Sequence, residues 1–145
     1  MLYTKQVSFS EAEPVYPSFL TGLELMKFYI QTKGGTKEQL QDIASALGMT
    51  NSISKQTGTY SSGMLKKLSL LLSFAGSPKL VLLDEPFITL DVAAVQALRQ
   101  IIDEKRNRQV SFLISSHQEF ELDFPFEILS IQQQTIIKET NAATA

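Results

Sequence analysis

Asp84 and Glu85 stand side by side at the end of the apolar run Leu80-Val81-Leu82-Leu83, with Pro86 directly after them. Adjacent carboxylates at the carboxyl end of a buried strand lie on the edge where open α/β sheets place their ligands. At such an end the two groups point to opposite sides and can divide labour. One can hold magnesium through water, and the other can reach a water that attacks phosphorus. The plainer reading is that Asp-Glu-Pro opens a loop and both carboxylates are solvated. Upstream, Tyr60-Ser61-Ser62-Gly63-Met64 puts small residues at a helix start. Backbone amides, a hydroxyl and the helix dipole can meet a phosphate there, although a Ser cap and a tight Gly turn would look the same. His117, the only histidine, follows the predicted strand end Leu113-Ile114-Ser115-Ser116, so its imidazole emerges at the same sheet edge as Asp84 and Glu85. Asp91 precedes a predicted helix at Val92 and fits an N-cap.

One spacing is a decoy. Gly58 and Gly63 in G-T-Y-S-S-G are separated like the glycines of a phosphate-binding loop, but Met64 and Leu65 occupy the places of the required Lys and Ser/Thr. No strand precedes Gly58, and no G-x-x-x-x-G-K-[S/T] occurs in the sequence.

The elements that must position these residues follow from periodicity and punctuation. Gln6 to Ser10 alternates polar with apolar residues, a short strand, before Pro14 and Pro17 force an extended loop. Thr21-Gly22-Leu23-Glu24 and Thr36-Lys37-Glu38-Gln39 both fit the capping box, so two helices start there, the first running to about Gln31 and the second stopping at Gly48. Gly34-Gly35 joins them. A polar connector, Thr50 to Thr59, leads to a third helix with Met64, Leu68, Leu71, Leu72 and Ala75 on its apolar side and Lys66 and Lys67 opposite. Lys79 to Leu83 reads as a strand covered on both faces of a parallel sheet, and Val110 to Ile114 as a second. The helix between them carries a buried stripe of Val92, Val95, Leu98, Ile101 and Ile102, which makes a βαβ unit. Glu127 to Ile131 and Thr135 to Lys138 suggest a hairpin, followed by a frayed tail from Asn141.

Composition narrows the function classes. The chain has 145 residues, 43% of them hydrophobic and 19% charged, which suits one globular domain. A net charge of −2 with dispersed Lys and Arg gives no field for nucleic acid or anionic lipid. With no cysteine there is no disulfide framework, thiolate zinc site or cysteine nucleophile. The longest apolar run, around Leu68 to Ala75, falls far short of the roughly 20 residues that span a bilayer. The N-terminal residues do not read as a secretory signal, so the product is expected to stay where it is made.

Taken in order, Tyr60 to Asp91 and Ser115 to Gln118 resemble the ATP-binding cassette family, and the match extends from about Val7 to Ile137. The segment from Tyr60 to Met64 resembles that family's signature, usually L-S-G-G-Q, keeping Ser61 and Gly63 but departing at Tyr60, Ser62 and Met64. The resemblance implies that Ser61, Ser62, Gly63 and Met64 bind the γ-phosphate of a nucleotide held by an opposing subunit. It implies that Asp84 holds Mg2+ through water, that Glu85 and His117 are catalytic, and that Asp91 is the D-loop contact to the facing subunit. Thr89 replaces a usual glycine in that loop. Val7 to Pro17 looks like the Q-loop region, with Ala12 where a glutamine is expected. Thr21 to Gly48 matches the helical subdomain that docks on transmembrane subunits.

The implied fold is α/β, a partial P-loop NTPase of the ABC type, with a parallel sheet core and an inserted helical subdomain. Residues 1–145 form one partial domain on this reading, with 18–60 the helical subdomain and connector. Residues 61–145 are then the core with signature helix, Walker B strand, switch histidine and C-terminal hairpin. The implied function is ATP binding and hydrolysis coupled to transmembrane transport, with ATP and Mg2+ as cofactors. Transmembrane subunits and a second ATPase subunit are the implied partners, on the inner, cytoplasmic face of the membrane, with no nucleic acid. Without the P-loop lysine and amide cradle the chain is expected to lack turnover alone. The alternative is a non-hydrolysing interaction module that docks on a membrane protein or on an intact cassette subunit. A missing strand beside the one ending at Ser115 would leave an apolar edge, with dimerisation, a rearranged hairpin or poor solubility as consequences.

Overall fold

The computed structural model describes residues 3–139. A one-turn helix α1 (Tyr3–Gln6), absent from the sequence expectation, runs straight into β1 (Val7–Ser10). Helices α2 (Gly22–Lys33) and α3 (Lys37–Ala46) follow, then a 3-10 turn (Thr57–Thr59) and α4 (Ser62–Ser73). Next come β2 (Leu80–Asp84), α5 (Val92–Asn107), β3 (Ser111–Ser115), β4 (Ile128–Gln132) and β5 (Thr135–Glu139).

Helix starts follow local chemistry. At α2 the capping box is complete: the Glu24 amide donates to Thr21 Oγ1 at 3.2 Å and the Thr21 amide donates to Glu24 Oε2 at 2.7 Å. At α3 only half of the expected box forms. Thr36 caps the helix, but Gln39 turns its side-chain amide to the carbonyls of Phe74 and Gly76, at 3.3 and 3.1 Å, and so ties α3 to the end of α4. Gly48 has φ of 71°, the left-handed geometry that follows a helix end.

The strands β1, β2 and β3 form a parallel sheet in that spatial order, with Phe9, Leu82 and Leu113 in one register row. The hairpin β4–β5 is a separate sheet, closed by Gln133 and Gln134, both at positive φ as a type I′ turn demands. It does not close the edge of the parallel sheet.

Three sequence expectations are corrected by the packing. Strand β2 is covered on one face: Val81 and Leu83 are buried beneath the helices, while Leu82 is only half-buried and its neighbours Phe9 and Leu113 are 52% and 58% exposed. Helix α5 buries Ala94, Leu98, Ile101 and Ile102, but Val92 sits in the first turn and is 76% exposed, outside the stripe. Lys66, placed opposite the apolar side of α4, is buried at 1% exposure. Helix α4 is enclosed almost all round by the core, so it has no solvent face at that position. The expected tail from Asn141 lies outside the described residues. No helix among them is long and apolar enough to cross a membrane.

Candidate functional site

The parallel pairing of β2 with β3 sets Asp84 opposite Ser115, so both strand ends reach the same edge. Ser115 Oγ donates to Asp84 Oδ1 at 2.5 Å, which fixes the carboxylate at the strand terminus. Glu85 lies just past the strand, and its amide donates to the Ser115 carbonyl at 3.0 Å. Its backbone takes φ of 45°, a region non-glycine residues seldom occupy. Strained backbone of this kind persists where surrounding contacts over-determine it and clusters at functional sites. The turn swings the Glu85 side chain over the β3 loop, where Oε1 accepts the His117 amide at 2.7 Å and stands 3.6 Å from His117 Nε2. The Glu85 side chain is 12% exposed and the imidazole 98%, so a nearly enclosed carboxylate faces a histidine free to meet an incoming group.

Ser61 to Met64 form a second group. Ser61 caps α4, its Oγ accepting the Met64 amide at 3.2 Å. Tyr60, buried at the first place of the turn, anchors it by donating from its hydroxyl to the Ser52 carbonyl at 2.7 Å. The amides of Ser62 and Gly63 belong to the first turn, where a helix leaves donors unpaired. Gly63 is required by packing: a Cβ there would lie 2.6 Å from the Thr89 carbonyl oxygen. Thr89 has φ of 62°, a strained value for a β-branched residue, which accounts physically for glycine being the easier choice at that place.

The turn and the Thr89 loop are joined again by Lys67, whose Nζ donates to Asp91 Oδ2 at 2.5 Å. Asp91 Oδ1 also accepts the Ala94 amide at 2.8 Å, so Asp91 is the N-cap of α5. The Lys67 contact first, and the Ala94 amide second, hold the Asp91 carboxyl below its usual pKa.

The predicted residues therefore fall into two groups: Asp84, Glu85 and His117 at the sheet edge, and Ser61 to Met64 with Asp91 beside them. Lys66 is the tie between the groups, and the sequence reading missed it. Its Nζ donates to the Asp84 carbonyl at 2.6 Å, to the Glu11 carbonyl at 2.7 Å and to the Ala12 carbonyl at 3.4 Å. One buried ammonium thus pins the helix after the Ser61 turn to the end of β2 and to the loop after β1. Burial pulls its pKa down to about 8, against the upward pull of Asp84 and Glu85. The available signal was the sequence Leu68-Ser69-Leu70-Leu71-Leu72, too apolar to leave α4 a wet side. At Ala12, where a glutamine was expected, the loop is held through its main chain.

A buried hydroxyl pair continues this framework: Ser10 and Ser69 share a hydrogen bond of 2.9 Å between β1 and α4. Burial pushes the Tyr16 hydroxyl up to about 12, an effect the Ser69 hydrogen bond partly offsets. Lys33 Nζ donates to Ser8 Oγ at 2.9 Å on the same face of β1.

The residues present suit a shared rather than a dedicated cation site. Among the described residues no group of three or more His, Cys, Asp or Glu converges as a metal cage. Magnesium bound beside phosphates needs only one or two protein carboxylates and otherwise keeps water, a demand that Asp84 with Ser115 meets.

The family described as "AAA domain, putative AbiEii toxin, Type IV TA system" matches residues 37–123. The chain is 32% identical over 123 residues to the uncharacterized ABC transporter ATP-binding protein YhcH of Bacillus subtilis, covering 83% of this chain and 40% of that protein. It is 31% identical over 110 residues to the lantibiotic transport ATP-binding protein SrtF of Streptococcus pyogenes, covering 76% of this chain and 48% of that one. A solved ATP-binding subunit of an ABC transporter superposes with a TM-score of 0.74 at 24% identity, over 80% of this chain and 50% of that chain. The chain thus spans about half the length of the relatives it matches or less. Its fold is that of the ABC-type P-loop ATPases. The chain belongs to the AAA-domain family whose model it matches, and in sequence and fold it is similar to the ATP-binding proteins of ABC transporters.

Proposed function

We propose that this chain is the part of an ABC transporter's ATP-binding subunit that senses and hydrolyses a triphosphate presented by another polypeptide segment. Ser61, Ser62, Gly63 and Met64 offer the α4 N-terminus to the γ-phosphate of an opposing subunit's nucleotide. Glu85 orients the attacking water and takes its proton, and His117 contacts the γ-phosphate. Asp84, steadied by Ser115, holds Mg2+ through water. When bound, the ion neutralises charge on the phosphate oxygens. Asp91 contacts the facing subunit. Residues 1–145 act as one partial domain, with the helical subdomain in 18–60 and the catalytic core in 61–145.

The observation that carries this reading is the bonded pair of Glu85 and His117, with the Glu85 carboxylate accepting the amide of the very residue whose imidazole stands free beside it. Docking on transmembrane subunits is supported by Val15, Phe19 and Phe28, which are 86%, 69% and 58% exposed on the loop before α2 and on α2 itself. Pairing with a second ATP-binding subunit at the inner face of the membrane follows from the same reading.

The test compares labelled ATP binding and hydrolysis by the chain alone and after addition of a P-loop-bearing half from a relative such as YhcH. Binding and turnover are expected only in the mixture, and Glu85→Gln should abolish turnover while leaving binding intact. Turnover that survives Glu85→Gln, or a mixture that binds no more ATP than its P-loop component, would overturn the proposal.

A further inference from the structure

A cavity of about 470 Å3 opens at the other end of the sheet, where β2 and β3 begin. It lies between the loop after α4, the C-terminal end of α5 and Gln39 of α3. Lys79, Lys105 and Arg108 line it, with Gly76 and Ser77, and no carboxylate does. Arg108 is engaged by Glu104 at 2.7 Å. Among the described residues, Lys79 and Lys105 have no ion-pair partner.

Basic side chains near helix ends usually serve the unpaired carbonyls and the negative end of the dipole. Main-chain amides already do much of that here. The Lys105 carbonyl accepts the Arg108 and Val110 amides at 3.0 and 3.1 Å, and the Arg106 carbonyl accepts the Gln109 amide at 2.8 Å. At the end of α4 the Leu71 and Leu72 carbonyls accept the Phe74 and Ala75 amides, and Gln39 donates to the carbonyls of Phe74 and Gly76. The lining therefore holds two ammonium groups without an ion-pair partner, and the amides of Gly76 and Ser77 have no backbone acceptor among the described residues. Lys105 is half-buried, and its pKa is lowered by that burial and then by Arg108, against a smaller upward pull from Glu104.

We propose that this cavity is an anion site for a small phosphate-bearing ligand, held by Lys105 and Lys79 with the Gly76 and Ser77 amides and Arg108 at its margin. A phosphoryl group matches the inventory, because it brings several acceptor oxygens and close to two negative charges to a lining with three basic side chains and no carboxylate. The volume falls within the range of small-molecule pockets and leaves room for a substituent. The site is separate from the Glu85–His117 edge and stands or falls independently of the hydrolytic reading.

The test titrates the full 15N-labelled chain with inorganic phosphate, using sodium chloride at matched ionic strength as control. Saturable movement of the Gly76, Ser77 and Gln109 amides is expected with phosphate alone. Lys105→Gln should weaken binding about tenfold and Lys79→Gln about threefold, with Lys105→Arg retaining it, as the loss of a charge-assisted contact requires. Lys79 is exposed, so its variant reads the site even where Lys105→Gln perturbs the fold. Movement equal in chloride, movement confined to Ser61–Met64, or unchanged affinity in Lys79→Gln would refute the site. Vesicles containing phosphatidylglycerol supply the second arm: chain captured on them and not released by excess phosphate would mean a lipid surface instead, and would refute a soluble ligand.

Discussion

The two faces of the parallel sheet are built from the same strands and have opposite fates. Toward the helices stand Ser8, Ser10, Val81 and Leu83, all buried, with Ser8 and Ser10 tied into polar bonds to Lys33 and Ser69. Away from them stand Phe9, Leu82 and Leu113, one register row of large apolar side chains around a shallow depression of about 210 Å3. A one-sided sheet would carry its polar residues outward. Strand β1 does the reverse, with serines inward and Phe9 outward. Such a pattern is written for cover on both sides, and the relatives, of which this chain spans about half or less, have the additional length to supply it. The difference teaches that the covered face holds the stability, while the other leaves large apolar side chains exposed.

The largest test of that contrast is Leu83→Ala. Leu83 is 1% exposed beneath the helices, and truncation there should cost about 3 kcal/mol through lost burial and a residual cavity. Urea unfolding followed by circular dichroism measures it. A cost no larger than that of an exposed-face substitution would erase the distinction between the faces.

Lys66 sharpens the comparison, because it is the polar bolt on the covered side. Lys66→Ala leaves the carbonyls of Asp84 and Glu11 without their donor and opens a void, although it also removes a charge that is costly to bury. The net loss should be about 2 kcal/mol, smaller than at Leu83. The local signature is faster amide exchange in residues 11–13 and 84–85 than in α3. Uniform loosening across the chain would mean that Lys66 is only a packing element and does not link the two groups of site residues.

How far this was legible in the sequence depended on the range of the interaction. The Thr21–Glu24 box, the Ser61 and Asp91 caps and the left-handed Gly48 are set by a few neighbouring residues, and each appears where its local chemistry placed it. The convergence of Asp84, Glu85 and His117 was legible because two apolar strands each ended in polar residues, and parallel pairing brings such ends to one edge. The role of Lys66 was not legible: its partners are main-chain carbonyls 18 and 55 residues away, and a carbonyl leaves no mark in a sequence. Gln39 misled for a related reason. Its position fitted a local cap, but tertiary acceptors at Phe74 and Gly76 won the side chain. The uncovered face was hidden because the apolar run of β2 reads the same whether its second cover is present or absent.

The smallest expected effect on stability is the most informative for the bare face. Leu113 is 58% exposed on a strand paired on one side only, so Leu113→Thr removes little buried area and places a β-branched residue in the strand. Its cost should stay within about 0.5 kcal/mol, the ordinary range for surface changes. Solution behaviour should respond more strongly, because a row of exposed apolar side chains beside an open strand edge favours association. Sedimentation velocity over a concentration series is expected to show self-association of the unaltered chain, reduced in Leu113→Thr and reduced further when Phe9→Thr is added. If Leu113→Thr destabilises as much as Leu83→Ala, the face is already covered in solution and the contrast fails. If both variants associate as the unaltered chain does, the contacts lie elsewhere, for which the exposed Ile131 and Ile136 of the hairpin are the next surface to alter.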